Sequence, residues 1–340
     1  MNSPSTSPII SVIIPTNDRA ELLEAALQSF TRQNMSADDF EVVVVDDGSV
    51  DDTPTVCRRF CAELPLKSVR LGKVGISTAK NLGLFASTGV LTLFFDDDDV
   101  ADANLLLEHV SAHQRHPEEY IAVLGYTTWA PSLRVTEGMH YITEVGQMMF
   151  SYPSFHDGEL LGFTKFYGGR TSCKRAFLTR CGVFDQHMPG MEDFELGYRL
   201  SRDGLRVLFH RSARSYMNRA VTYDEFCKRC EKQGRYRWLF SRIHSDPALQ
   251  EPLGIENAEA RWLDTKPLLS GQVERVHALE ALLEAPTHEG NAARFRSELH
   301  ALYRASFRAF FLKGTVEAME ADAVTIPANG QPILSSGPVE

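Results

Sequence analysis

No stretch of this 340-residue sequence approaches the roughly 20 consecutive apolar residues that span a bilayer, so no transmembrane helix is expected. The opening MNSPSTSP has neither a basic start nor an apolar h-region, so no secretion signal is expected either. Cysteine is scarce. Six residues are too few for a disulfide scaffold, and Cys227-x-x-Cys230 has no second ligand pair at zinc spacing. Reduced structural thiols in a cytoplasmic protein follow as the expectation, with peripheral membrane attachment left open. Positive charge is in deficit, 35 Lys and Arg against 45 Asp and Glu, and the net charge of −10 discourages nucleic acid and anionic membrane as general partners. It does not exclude an anionic substrate held through a metal ion. An internal repeat is also missing. What is there, 43% hydrophobic and 24% charged residues, is a soluble globular composition long enough for one large domain or two ordinary ones.

Residues 1–8 are a polar, Pro- and Ser-rich lead read as disordered. The β-branched run Ile9–Ile14, stopped by Pro15, predicts a buried strand, as do Phe40–Val45 and Val90–Phe95. Helical spacing appears at Leu22, Leu23, Ala26, Leu27 and Phe30, again over 52–62 and over 76–87, with a short strand near 67–71. Such alternation predicts βαβ units and a mainly parallel sheet, whose ligands bind beyond the carboxyl ends of the strands. Both Asp46-Asp47 and Asp96–Asp99 fall at that edge. Further on, 103–115, 174–182 and 192–203 read as helices, 121–126 and Arg206–Phe209 as strands, while 127–170 has no clear pattern. From about 222 the texture becomes helical, over 223–244, 256–285 and 291–320, and 323–340 reads as a disordered tail. In the last helix Phe295, Leu299, Leu302, Ser306 and Phe310 form a stripe that reads as core-facing.

Four consecutive aspartates need a physical account. In an extended segment Asp96 and Asp98 would point one way and Asp97 and Asp99 the other. Crowded carboxylates raise one another's pKa unless a cation shares them, and Mg²⁺ or Mn²⁺ binds through one or two carboxylates plus phosphate oxygens. The bland alternative is a solvated acidic turn capping the helix near 103. Glu192-Asp193-Phe194-Glu195 similarly reads either as helix-dipole complementation or as a general base beside a metal.

Ser11-Val12-Ile13-Ile14-Pro15-Thr16-Asn17-Asp18-Arg19 resembles the opening of family-2 glycosyltransferases, and Val43–Ser49 with Asp51-Asp52-Thr53 resembles their VVDDGSxDxT. Gly75–Gly83 is similar to GxxxARNxG, Phe94–Asp99 to the segment holding the DXD motif, and Gly182–Asp185 with Glu192–Leu200 to GGFDE and EDxELxxRL. These motifs keep the family's order over about residues 9–210.

The resemblance implies an α/β GT-A fold, a Rossmann-like mixed and mainly parallel sheet flanked by helices. The catalytic domain would cover 9–220, followed by a helical region over 221–322. It implies an inverting hexosyl- or N-acetylhexosaminyl-transferase that moves a sugar from a UDP-sugar to an acceptor hydroxyl. A GDP- or dTDP-sugar donor, or a non-catalytic sugar-nucleotide-binding scaffold, are the alternatives. Carried over, Asp193 is the catalytic base with Glu192 beside it. Asp47 holds the nucleotide base, Pro15 and Thr16 line its pocket, and Asn17, Arg19, Lys80, Asp96 and Asp97 complete the donor site. Asp98 binds the Mg²⁺ or Mn²⁺ that bridges the diphosphate. Three departures stand out: Asn17 replaces the family's usual Tyr, Lys80 its Arg, and Ala213–Asn218 lacks the His that often completes the metal site. Asn218 is the expected oxygen donor in its place, His210 lying too early. The acceptor stays open among glycan, lipid-linked sugar, peptide and small metabolite, and the C-terminal helices are a candidate homodimer surface.

Secondary candidates carry two readings each. Trp129 and Trp238 suit either packing or acceptor stacking, and Lys228, Arg229, Lys232, Arg235 and Arg237 either a solvated helix face or phosphate contacts. Gly168-Gly169 suits either a turn or a close backbone approach.

Overall fold

The computed structural model describes residues 7–150, 152–249, 253–284 and 292–325. It divides into two compact units, one ending at Val221 and the other beginning at Thr222. The first unit alternates strands and helices from its start: β1 (Ile10–Thr16), α1 (Ala20–Phe30), β2 (Phe40–Asp46), α2 (Thr53–Phe60), β3 (Leu66–Arg70), α3 (Ile76–Ala86), β4 (Leu91–Phe94), β5 (Asp99–Ala101), α4 (Leu105–Arg115) and β6 (Ile121–Trp129). Then come α5 (Glu137–His140), β7 (Leu160–Leu161), β8 (Thr171–Lys174), α6 (Arg175–Cys181), α7 (Glu192–Ser201) and β9 (Arg206–Met217).

The sheet runs β3-β2-β1-β4-β8-β6-β9-β5, with β7 added against β9. The first four strands are mutually parallel, β8 is antiparallel to both its neighbours, and β6 and β9 are parallel. Every residue of β1, β2 and β4 is buried, as expected for strands covered on both faces. The α1 stripe Leu23, Ala26, Leu27 and Phe30 packs into one core with Val12, Val42, Val44 and Leu93. Because β1, β2 and β4 are parallel and in register, Thr16, Asp46 and the residues after Phe94 reach the same edge.

β9 is much longer than the predicted Arg206–Phe209. A register shift opposite Gly125 and Tyr126 moves the partner from His210 to Arg214, and this bulge lets the strand continue to Met217. It thereby reaches the acidic turn and pairs with β5.

The second unit consists of helices: α8 (Tyr223–Ile243), Ala258–Thr265, Leu269–Glu284 and Ala292–Thr325. Thr222 and Glu225 form a capping box at the start of α8. The predicted 256–285 helix is interrupted by a 3-10 turn, Lys266–Leu268, where Pro267 cannot donate an amide. In the last helix the core face carries Leu299, Tyr303, Ser306, Phe307 and Leu312, turned from the predicted stripe so that Tyr303 and Phe307 stack at 5.6 Å. That helix runs to Thr325, three residues into the expected tail; 326–340, like most of the 1–8 lead, lie outside the described residues. Trp129 is buried against Phe150, Arg235 pairs with Glu231 and Glu317, and Arg237 covers Phe311, so packing and ion pairing account for these side chains. All six cysteines are free thiols, and burial pushes Cys227 and Cys230 up to about 12. Among the described residues no helix is long and apolar enough to cross a membrane.

Candidate active site

The turns after β1 and β2 are stitched to each other. Asp47 N donates to Thr16 O at 2.9 Å, and Asn17 Nδ2 donates to Asp47 O at 2.9 Å. Asp18 takes a left-handed backbone at φ 53°, which aims its N–H at Ser49 Oγ, 2.9 Å away. Pro15 does not stop β1 as expected: it pairs with Val45, and the strand runs one residue further to Thr16 opposite Asp46. The carboxylate of Asp47 accepts the Val74 and Gly75 amides at 2.6 and 3.0 Å, tying the loop before α3 to this edge. Asp46 turns inward instead and accepts from Ser49 N at 2.8 Å.

The aspartate run does not alternate. β4 ends at Phe94, and Asp99 N donates to Asp96 O at 3.3 Å, so the segment is a turn. A turn pairs its outer residues with each other and its inner residues with each other. Arg19 Nη1 accordingly meets Asp97 Oδ1 at 2.8 Å and Asp98 Oδ2 at 3.3 Å, while Arg170 spans Asp96 Oδ2 at 3.1 Å and Asp99 Oδ1 at 2.9 Å. Thr16 Oγ1 also donates to Asp97 Oδ2 at 2.8 Å. Of the four carboxylates only Asp96 is substantially open, at 35% side-chain exposure against 7% or less for the other three. Burial pushes Asp97 up to about 6 against the pull of Arg19, and Asp99 up to about 7 against the pull of Arg170.

Asp193, in the first turn of α7, is partly buried and held from two sides: Gly168 N donates to Oδ2 at 2.9 Å and Phe194 N to Oδ1 at 2.7 Å. Burial, followed by the neighbouring Glu192 charge, raises its pKa. Glu192 Oε1 is engaged by Lys80 Nζ at 2.7 Å, and that ammonium also lies 5.2 Å from the centre of the Phe184 ring. Lys80 is thus a buried partner of Glu192, with 4% of its side chain exposed. Two further bonds fasten α3 to the segment before α7. Asn81 exchanges hydrogen bonds with Phe184 N and O, and Ser77 Oγ donates to Met188 O.

Gly168 and Gly169 thread between these groups. A Cβ on Gly169 would stand 2.1 Å from Asp96 Oδ2, and one on Gly168 2.6 Å from Lys80 Nζ and 2.9 Å from Asp193 Cβ. The diglycine is therefore a close approach, Gly168 to Asp193 and Gly169 to Asp96.

The structure thus joins Thr16, Arg19, Asp97 and Asp98 in one network, Asn17 and Asp47 in a second, and Lys80, Glu192 and Asp193 in a third, with the diglycine linking the third to Asp96. Asn218 meets the acidic turn through its backbone, donating to Asp98 O at 2.7 Å, while its Oδ1 lies 3.5 Å from Ser132 Oγ. Two arginines absent from the sequence reading belong here. Arg170 spans Asp96 and Asp99, and Arg219 Nε reaches Asp98 Oδ2 at 3.1 Å. Their only sequence signal is position, directly after the diglycine and directly after Asn218. Among the described residues no group of three or more His, Cys, Asp or Glu side chains is arranged to hold a metal ion. The hard oxygens of Asp98 fit Mg²⁺ or Mn²⁺ only in the mode that takes its remaining ligands from phosphate and water.

The family-level match decides among fold relatives. The sequence pattern of "Glycosyl transferase family 2" covers residues 11–186, just over half of the chain, and takes in both acidic turns. This chain belongs to that family. It is 30% identical over 230 residues to validoxylamine A glucosyltransferase of Streptomyces hygroscopicus subsp. jinggangensis, covering 61% of this chain and 54% of that protein. It is 38% identical over 201 residues to a PGL/p-HBAD biosynthesis glycosyltransferase of Mycobacterium tuberculosis, covering 58% and 67%. The chain spans about half the length of the two validoxylamine A glucosyltransferases it matches. In fold it is similar to the mannosyltransferase PcManGT of Pyrobaculum calidifontis, solved with GDP-Man and Mn²⁺ (TM-score 0.59, 23% identity, 93% of this chain and 88% of that one). It is also similar to S. aureus TarS 1–349, solved with UDP-GlcNAc (TM-score 0.53, 17% identity, 91% of each). This family member is thus a GT-A α/β domain followed by a helical region.

Proposed function

We propose that this glycosyltransferase inverts the anomeric carbon of a nucleoside-diphosphate sugar in a single displacement on an acceptor hydroxyl, with Asp193 as the base. One observation carries the reading: consecutive glycines bring the two carboxylates together, Gly168 packing on Asp193 and Gly169 on Asp96, the open carboxylate of the acidic turn, and the Lys80 charge acts on both. The acceptor oxygen bonds to the anomeric carbon as the bond to the diphosphate oxygen breaks, and its electron pair leaves with the diphosphate. Asp193 takes the hydroxyl proton, and the raised pKa that burial and Glu192 give it suits that role. Gly168 N–H holds Oδ2 and leaves the carboxylate with fixed direction. Asp96 faces the donor sugar or ribose, Thr16 and Asp97 line the nucleotide pocket, and Asp47 stiffens the loop at its base edge. A divalent ion held by Asp98 would stabilise the charge that develops on the leaving diphosphate.

UDP is the favoured base on the strength of the Asp47 segment, while the GDP-Man bound by one fold relative keeps GDP in consideration, and dTDP remains the third candidate. Asp193→Asn is expected to lower kcat by about 10³-fold while the donor Kd stays within about twofold, because the amide cannot take the proton but keeps the shape. Turnover near that of the unaltered enzyme would overturn the assignment. Thermal-shift titration with UDP-, GDP- and dTDP-sugars and Mn²⁺, followed by mass spectrometry of products, identifies the donor.

A further inference from the structure

The charge count at the acidic turn is uneven. Four carboxylates, Asp96 to Asp99, are met by three guanidinium groups: Arg19, Arg170 and Arg219. Two of these cations converge on a single atom, since Asp98 Oδ2 lies 3.1 Å from Arg219 Nε and 3.3 Å from Arg19 Nη1. Arg19 has a shorter contact of its own at Asp97, 2.8 Å away. Arg219 is therefore the principal counter-ion of Asp98, the carboxylate that the motif assigns to the metal. The Asn218 N–H bond to Asp98 O pins the adjoining backbone, and a third of the Arg219 side chain stays exposed.

A bare dication approaching Asp98 must come within a few ångströms of two guanidinium groups. A dication already bridging a diphosphate arrives with its charge largely neutralised, and it brings phosphate oxygens that a guanidinium fork matches well. We propose that Arg219 occupies Asp98 in the donor-free protein, and that it exchanges this carboxylate for the donor's diphosphate when the metal binds. The metal and the nucleotide diphosphate then enter together. This rests on the reading of the chain as a transferase using nucleoside-diphosphate sugars.

The test uses calorimetric titration of the 340-residue chain with Mn²⁺ alone, and with UDP, GDP, dTDP or UMP in the presence of Mn²⁺. Arg219→Met is expected to tighten binding of Mn²⁺ alone by about tenfold, because one repelling charge is gone. The same variant is expected to weaken the preferred nucleoside diphosphate by about tenfold and to leave UMP, which has no β-phosphate, within about twofold. Arg219→Lys keeps the charge without the fork, so it should bind Mn²⁺ as the unaltered protein does and still lose diphosphate affinity. Arg219→Met with unchanged Mn²⁺ and diphosphate affinities would overturn the proposal, as would equal losses for diphosphate and UMP. Failure of the unaltered protein to bind UDP, GDP or dTDP would instead overturn the donor reading itself. Tm values within a few degrees of the unaltered protein separate both cases from misfolding.

Discussion

Glu41 and the aspartates of the acidic turn occupy opposite edges of one sheet, and they solve the same problem differently. At the amino edge a single buried carboxylate collects four donors: Ser11 Oγ at 2.7 Å, Thr88 N at 2.6 Å, Thr88 Oγ1 at 2.9 Å and Lys67 Nζ at 2.6 Å. Burial works against its ionisation, but these bonds prevail and bring Glu41 down to about 2. At the carboxyl edge burial prevails, and Asp97 and Asp99 rise to about 6 and about 7. What differs is the number of donors per carboxylate. A carboxylate saturated by its own chain contributes stability and binds nothing further. Carboxylates that share too few cations cost stability, and that deficit is what a metal or a proton can fill.

The contrast can be broken in three places. Gly169→Ala has the largest expected effect: its Cβ would fall inside the Asp96 carboxylate, forcing Asp96 off Arg170 and out of its place in the acidic turn. Transfer rate should drop by about 100-fold, roughly the effect of misplacing a positioning group by an ångström. A rate within threefold of the unaltered enzyme would show that Asp96 is not needed where it stands. Glu41→Gln should cost about 2 kcal/mol near pH 7, read from chemical denaturation, with kcat unchanged. The sign follows from a depressed carboxyl. Its contribution is fully present above about 4.5 and is lost as pH falls toward 2, so the gap between variant and unaltered protein should close over that window. Asp97→Asn has the smallest effect and the opposite sign. A carboxyl raised to about 6 keeps its proton longer in the native state, so the unaltered protein loses stability as pH rises from about 4 through 6. The variant escapes that loss and should be about 1 kcal/mol more stable above pH 6, less whatever the Arg19 contact returns. Equal slopes against pH for the two proteins would refute the site's cost.

The fold was legible where burial wrote itself into residue type. The β-branched runs of β1 and β2 and the Leu22–Phe30 spacing name their elements directly. Motif order then placed the acidic turns and Asp193 at one edge. Periodicity failed at Asp96–Asp99, because alternation presumes an extended chain and the segment closes a turn through Asp99 N. It failed again at β9, whose HRSARSYM end has no strand-like pattern and depends on pairing with β5 and on a bulge for its course. Arg170 and Arg219 were invisible for a related reason. An arginine in a polar stretch reads as surface, and only tertiary contact reveals that two aspartates or one lie at its end.

The exchange of hydrogen bonds between Asn81 and Phe184 has a kinetic meaning. A side-chain amide that both donates to and accepts from one backbone residue imitates the edge of a strand, so this coil segment is held to α3 as a strand would be. Opening it means breaking two buried bonds together with the Ser77 contact, which places it in the cooperative unit of the sheet and apart from the fraying loops. The segment leading into α7 is then no lid. Asp193, at the head of α7, is fixed in place with it.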